Sequence, residues 1–87
     1  MKTEWTEKTL DKLADHYVSL SLTEQDVVEA CVLRINASLA INPMAFGESR
    51  SEDERIWFVD PLVIRYKINS DEGTVVVTDV TFLKRRG

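Results

Sequence analysis

The chain has 87 residues, ordinary hydrophobic content, a single cysteine and a net charge of −4. That length supports one domain, residues 1–87, burying roughly 60–65% of its unfolded surface, which is enough for one core but not for an enclosed cofactor as well. The composition excludes a disordered chain, a disulfide scaffold and a cysteine zinc cluster, and its acidic balance is unlike that of a typical basic nucleic-acid binder. The charge is unevenly placed: residues 1–30 carry three basic and seven acidic side chains, whereas the remainder carries eight of each. Residues 1–8 lack the apolar core of a signal peptide. Residues 35–47, the longest uncharged run, contain Asn36, Ser38, Asn42 and Pro43, and are too short and too polar to span a bilayer. A cytoplasmic protein with no membrane partner is expected.

In chain order, residues 2–5 read as a short edge strand. Thr6 is an N-cap candidate, with Trp5 before it and Leu10 spaced to form a hydrophobic staple. Leu10, Leu13, Ala14 and Tyr17 then recur at helical spacing opposite Lys8, Asp11, Lys12 and Asp15, which predicts a helix over 7–19. Leu22, Thr23, Asp26 and Val27 repeat the start signal, with Thr23 as cap and Leu22 stapled to Val27. Val28, Val32, Ile35 and Leu39, with Cys31 beside them, form the inward stripe of a second helix ending near Ile41, where Pro43 disfavours helical geometry at Asn42. The short link makes the two helices an antiparallel hairpin. Residues 42–50 are a connector in which Met44 and Phe46 are expected on the core and Gly47 at a turn.

Three strand-like runs close the chain, at 55–59, 62–68 and 74–83, separated by Asp60-Pro61 and by residues 69–73. β-branched and aromatic residues fill the runs and turn formers fill the gaps, so a three-stranded antiparallel meander is predicted. In the middle run Leu62, Ile64, Tyr66 and Ile68 share one face, while Val63, Arg65, Lys67 and Asn69 share the other. The first face needs a core and the helical hairpin is the available cover, giving an α+β fold with the hairpin on one face of a small antiparallel sheet, in the order β-α-α-β-β-β.

Three stretches carry a family likeness: Arg34-Ile35-Asn36-Ala37-Ser38-Leu39 at the end of the second helix, Asn42-Pro43-Met44-Ala45-Phe46-Gly47-Glu48-Ser49-Arg50, and Arg55-Ile56-Trp57-Phe58-Val59-Asp60-Pro61-Leu62-Val63-Ile64. Together they resemble the RelE/ParE superfamily of bacterial type II toxin–antitoxin toxins over roughly residues 10–82. The second and third are similar to the DP-x-x-x-GE-x-R connector and the R-V-x-x-V-G-P-L-x-V hairpin of its plasmid-stabilisation, or cytotoxic translational repressor, branch. The resemblance implies a toxin neutralised by a cognate antitoxin protein. RelE-like members cleave mRNA on the ribosome, and ParE-like members instead poison DNA gyrase and have no nuclease site. This chain departs from the nuclease pattern: Val63 stands where an arginine is usual, the strand before it offers Arg55 but no lysine, and no tyrosine or histidine follows Tyr66.

If the protein cleaves RNA without a metal, a cation must offset the charge of the pentacovalent phosphate. Arg65 is the candidate, on a rigid open face, with Lys67 and Arg55 assisting and Lys84 or Arg85 reaching in from the tail. The plainer reading makes Arg65 and Lys67 solvated residues on the wet face of a sheet, with Asp79 as an ion-pair partner. His16 reads as a helix-surface residue and Cys31 as a small buried group, and Tyr17 and Tyr66 read as core. No cofactor or metal site is expected. Three functions stay open: an RNA-cleaving toxin, a non-catalytic protein-binding module with a gyrase-type target, and a decayed, non-toxic relative.

Overall fold

The computed structural model describes residues 1–83. Its elements are β1 (Lys2–Trp5), α1 (Glu7–Tyr17), α2 (Leu22–Ile41), a 3-10 turn (Pro43–Ala45), β2 (Glu48–Ser49), β3 (Glu54–Val59), β4 (Leu62–Asn69) and β5 (Thr74–Phe82). The predicted meander is present as β3-β4-β5, paired antiparallel along its length. The sheet around it is larger and mixed. Its order is β1-β5-β4-β3-β2, with β1 parallel to β5 and the two-residue β2 on the far edge.

Alternation sets the faces of β4 as its sequence requires: Leu62, Ile64, Tyr66 and Ile68 are buried, and Arg65, Lys67 and Asn69 are exposed. Val59 on β3 and Val75, Val77 and Val80 on β5 complete the sheet side of the core. Val77 and Val80 can both point inward because a bulge opposite Arg65 and Tyr66 inserts Thr78, shifting the side-chain phase by one residue. From the other layer α2 contributes Val28, Cys31, Ile35 and Leu39.

The helices depart from expectation in several ways. α1 is capped by Thr6 as predicted, but it ends at Tyr17 and buries only Thr9. Leu13 packs against the core, whereas Leu10 and Ala14 are exposed, so the stripe on α1 is largely uncovered. Trp5 packs against the core, and its indole Nε1 donates to Asn36 Oδ1 of α2 at 2.7 Å. The cap of α2 is Ser21, not Thr23: Ser21 Oγ accepts from the Glu24 amide and the Glu24 carboxylate accepts from the Ser21 amide, a reciprocal capping box. Leu22 is exposed rather than stapled. His16 is half-buried, its ring stacked on Phe82 at 3.6 Å between centroids. Among the described residues no helix is long and apolar enough to cross a membrane.

The connector is fixed from below. Tyr66 is fully buried, and its hydroxyl lies 2.8 Å from the Pro43 carbonyl and 2.7 Å from the Phe46 carbonyl. Arg55 Nε donates to the Phe46 carbonyl and its Nη2 to the Gly47 carbonyl. Phe46 packs on Trp57 at 4.6 Å, while Met44, expected on the core, is exposed. Gly47 has φ +69°, and a Cβ there would stand 2.5 Å from the Ile56 carbonyl oxygen, so both backbone angle and space demand glycine.

Candidate functional site

Two surfaces can carry function. The first is the open face of the sheet, where the expected cations lie. Arg65 and Lys67 project from it as predicted, two residues apart on β4. Their environment differs from a free cation cluster. Arg65 Nη1 is 3.2 Å from Glu54 Oε1, and Glu54 is also the cross-strand partner of Lys67. One carboxylate therefore stands between two cations, leaving about one net positive charge at this point of the sheet. Asp79, the expected partner of Arg65, instead pairs with Lys12 of α1 at 3.0 Å.

Arg55 is on the opposite face. It lies across from Tyr66 in the β3–β4 register, and directly opposed residues share a face, so Arg55 points into the fold and spends its donors on the connector carbonyls. Lys84 and Arg85 lie outside the described residues. The structure thus brings Arg65 and Lys67 together and separates them from Arg55. Beside them on the open face are half-buried Val63, placed there by the alternation of β4, and two apolar neighbours that the sequence reading did not single out: exposed Phe58 across from Val63 and half-buried Ile56 opposite Arg65.

The second surface is a groove of about 550 Å³ between the helices, lined by Leu10, Leu13, Ala14 and Tyr17 of α1 and by Val28, Val32 and Leu33 of α2. Its wall is almost wholly apolar. Glu29 stands on its rim, and the Tyr17 phenol is held above its ordinary pKa by partial desolvation, then by hydrogen bonding to Glu29 and by the charges of Glu29 and Asp26. The apolar stripe that helical spacing marks on α1 lines this opening. A signal was present: α1 has one large aliphatic residue per turn at most, too few to cover both the sheet and α2, while α2 is apolar on more than one side.

No family model and no curated protein matches the chain. Solved structures do. The chain superposes on a structure described as a chromosomal ParDE TA system from P. aeruginosa, with a TM-score of 0.69, 20% identity and 97% of both chains covered. It also superposes on the crystal structure of the isolated E. coli RelE toxin, with a TM-score of 0.61, 13% identity, 98% of this chain and 86% of that one covered. With the layer order, the meander and the added N-terminal strand, these two likenesses identify the architecture: the chain has the RelE/ParE fold.

Proposed function

We propose that this chain is the toxin-like component of a bacterial type II toxin–antitoxin module, and that it works by gripping protein partners rather than by cutting RNA. The observation that carries this reading is the uncovered apolar groove between α1 and α2 on a fold shared with structures described as a toxin and as a toxin–antitoxin system. A buried apolar stripe of an amphipathic helix fits such a groove. The acids around it, Glu29 on the rim and Asp11 and Asp15 on the outer side of α1, favour an antitoxin segment flanked by lysine or arginine. The test is co-purification with the product of the adjacent reading frame at low and high salt. The expected result is a complex that weakens as salt rises. A complex indifferent to salt removes the electrostatic part of the reading, and no complex at any salt overturns the partner assignment.

A nuclease reading rests on Arg65 and Lys67 being neighbours on the open face. Against it stand the ion pair of Arg65 with Glu54 and the inward direction of Arg55. Expression of the chain without its partner, with growth and mRNA integrity followed together, separates the two. Growth inhibition with intact mRNA supports a protein target, DNA gyrase being the precedent that the family likeness supplies. Growth inhibition with fragmented mRNA that Arg65→Ala abolishes supports cleavage. No inhibition from the wild type points to a decayed, non-toxic relative.

A further inference from the structure

β1 leaves one side of its backbone unused. It stands at the edge of the sheet, and among the described residues β5 is its strand partner. The Lys2 amide donates to the Gly73 carbonyl and the Thr6 amide to the Val77 carbonyl, so Lys2, Glu4 and Thr6 turn their backbone groups toward β5. Alternation directs the amides and carbonyls of Thr3 and Trp5 the other way, where no described strand lies. The side chains alternate between the faces of the sheet. Thr3 and Trp5 reach Asn36 of α2 on the covered face, whereas Lys2 and Glu4 are exposed on the open face, 3.4 Å apart.

Such an edge accepts another strand, and the charges of β1 suit a second β1 in one register. A two-fold axis normal to the sheet keeps every side chain on its own face, and directly opposed residues of an antiparallel pair share a face. With the axis at Thr3, the two Thr3 residues exchange their N–H···O bonds, and Lys2 of each copy stands directly opposite Glu4 of the other on the open face. With the axis at Glu4, two carboxylates oppose each other instead. With the axis at Trp5, the pairing runs into α1, which begins at Glu7. Charge therefore selects the first register and rejects the second, and the symmetry supplies the ion pair twice. A lysine on an edge strand ordinarily keeps other strands away, but in this register each lysine meets an acid. The opposite edge of the sheet, β2, has only two residues to offer.

We propose that β1 is a self-association edge: a second copy of this chain pairs its own β1 antiparallel across a two-fold axis at Thr3, joining the two five-stranded sheets into one. Four residues a side make a short ladder. The contact falls below the standard protein–protein interface of about 1,600 Å², which places the dimer among weak, concentration-dependent assemblies.

The test is sedimentation velocity on the full chain alone, from about 5 µM to about 500 µM, the range in which a weak interface of this class is read. The wild type shifts from monomer to dimer. Lys2→Glu gives the edge two carboxylates and Glu4→Lys gives it two ammonium groups, so each variant by itself opposes like charges twice and weakens the dimer at least about tenfold. An equimolar mixture of the two variants restores opposite charges at both pairs and dimerises at least as well as the wild type. The exposed ion pair between Lys2 and Glu4 of one chain is lost in both variants and is not restored by mixing, so recovery in the mixture reads contacts between chains alone. Circular dichroism checks that each variant is folded. A wild type that is monomeric throughout overturns the proposal, as does a mixture that stays monomeric. Lys2→Glu dimerising like the wild type overturns it too, because with the axis at Glu4 that side chain would face no charge.

Discussion

At the scale of single residues, the buried face of β4 decides stability and the open face does not. Ile64 is fully buried among the core residues, so Ile64→Ala is expected to cost about 2–5 kcal/mol, as deletion of buried methylenes does. Val63→Ala on the open face should cost well under half of that, and urea denaturation of the pair measures both. Gly47→Ala forces a Cβ against the Ile56 carbonyl at positive φ, which should cost about 1–3 kcal/mol in the same assay. Tyr66 adds a pH dependence. Burial pushes its phenol above the ordinary value of 10.0, against the opposing hydrogen bond and charge of Arg55. The unfolded chain then gives up this proton first, so the contribution of Tyr66 is fully present below pH 10 and is lost as pH rises through the folded value. Burial likewise pushes the Cys31 thiol above 9.0 and makes it lose stability on the same alkaline side. Denaturation midpoints should therefore fall above about pH 9, and Tyr66→Phe should flatten the part of that fall beyond pH 10.

At the scale of elements, period was legible and partner was not. The two-residue period of β4 fixed which side chains enter the core, and the structure places all four of them there. The cap of α2 was misassigned by two residues because Ser21 and Thr23 are both cap formers with an acid three positions on, and Thr23 precedes the steeper apolar run. Ser21→Ala should therefore cost about 1 kcal/mol while Thr23→Ala is close to neutral, which thermal melts of the two variants resolve. The ion pair joining α1 to β5 is a different case. Lys12 and Asp79 are both about half exposed, so Lys12→Ala should cost no more than about 0.5 kcal/mol. That Asp79 turns to α1 rather than to Arg65 was hidden from the sequence, since it depends on a one-residue bulge that no residue type announces. Arg55 was hidden for a related reason. Its charge suggested an anion site, and only the register with Tyr66 reveals that it faces inward and holds the connector.

At the scale of the whole molecule, the α+β layer order followed from the sequence because turn residues and β-branched runs are local signals. The place of β1 was not local: a short strand can join either edge, and pairing it with β5 required the fold itself. Function divides along the same line. The α1–α2 groove is a product of how little of α1 is buried, and Arg55 is divided from Arg65 and Lys67 by the sheet between them. At this scale Arg65→Ala should leave the denaturation midpoint nearly unchanged while resolving the nuclease reading in the growth assay, since it sits on a wet face. The parallel pairing of β1 with β5 also orders events in time. Lys2 is aligned with Thr74 and Trp5 with Val77, so the earliest-synthesised strand is completed by one of the last. A nascent chain must hold Trp5 and the inward side of α2 without their sheet until β5 leaves the ribosome. The fold therefore forms after translation has passed β5, and a chain truncated before β5 leaves β1 without a partner and β4 as a bare edge.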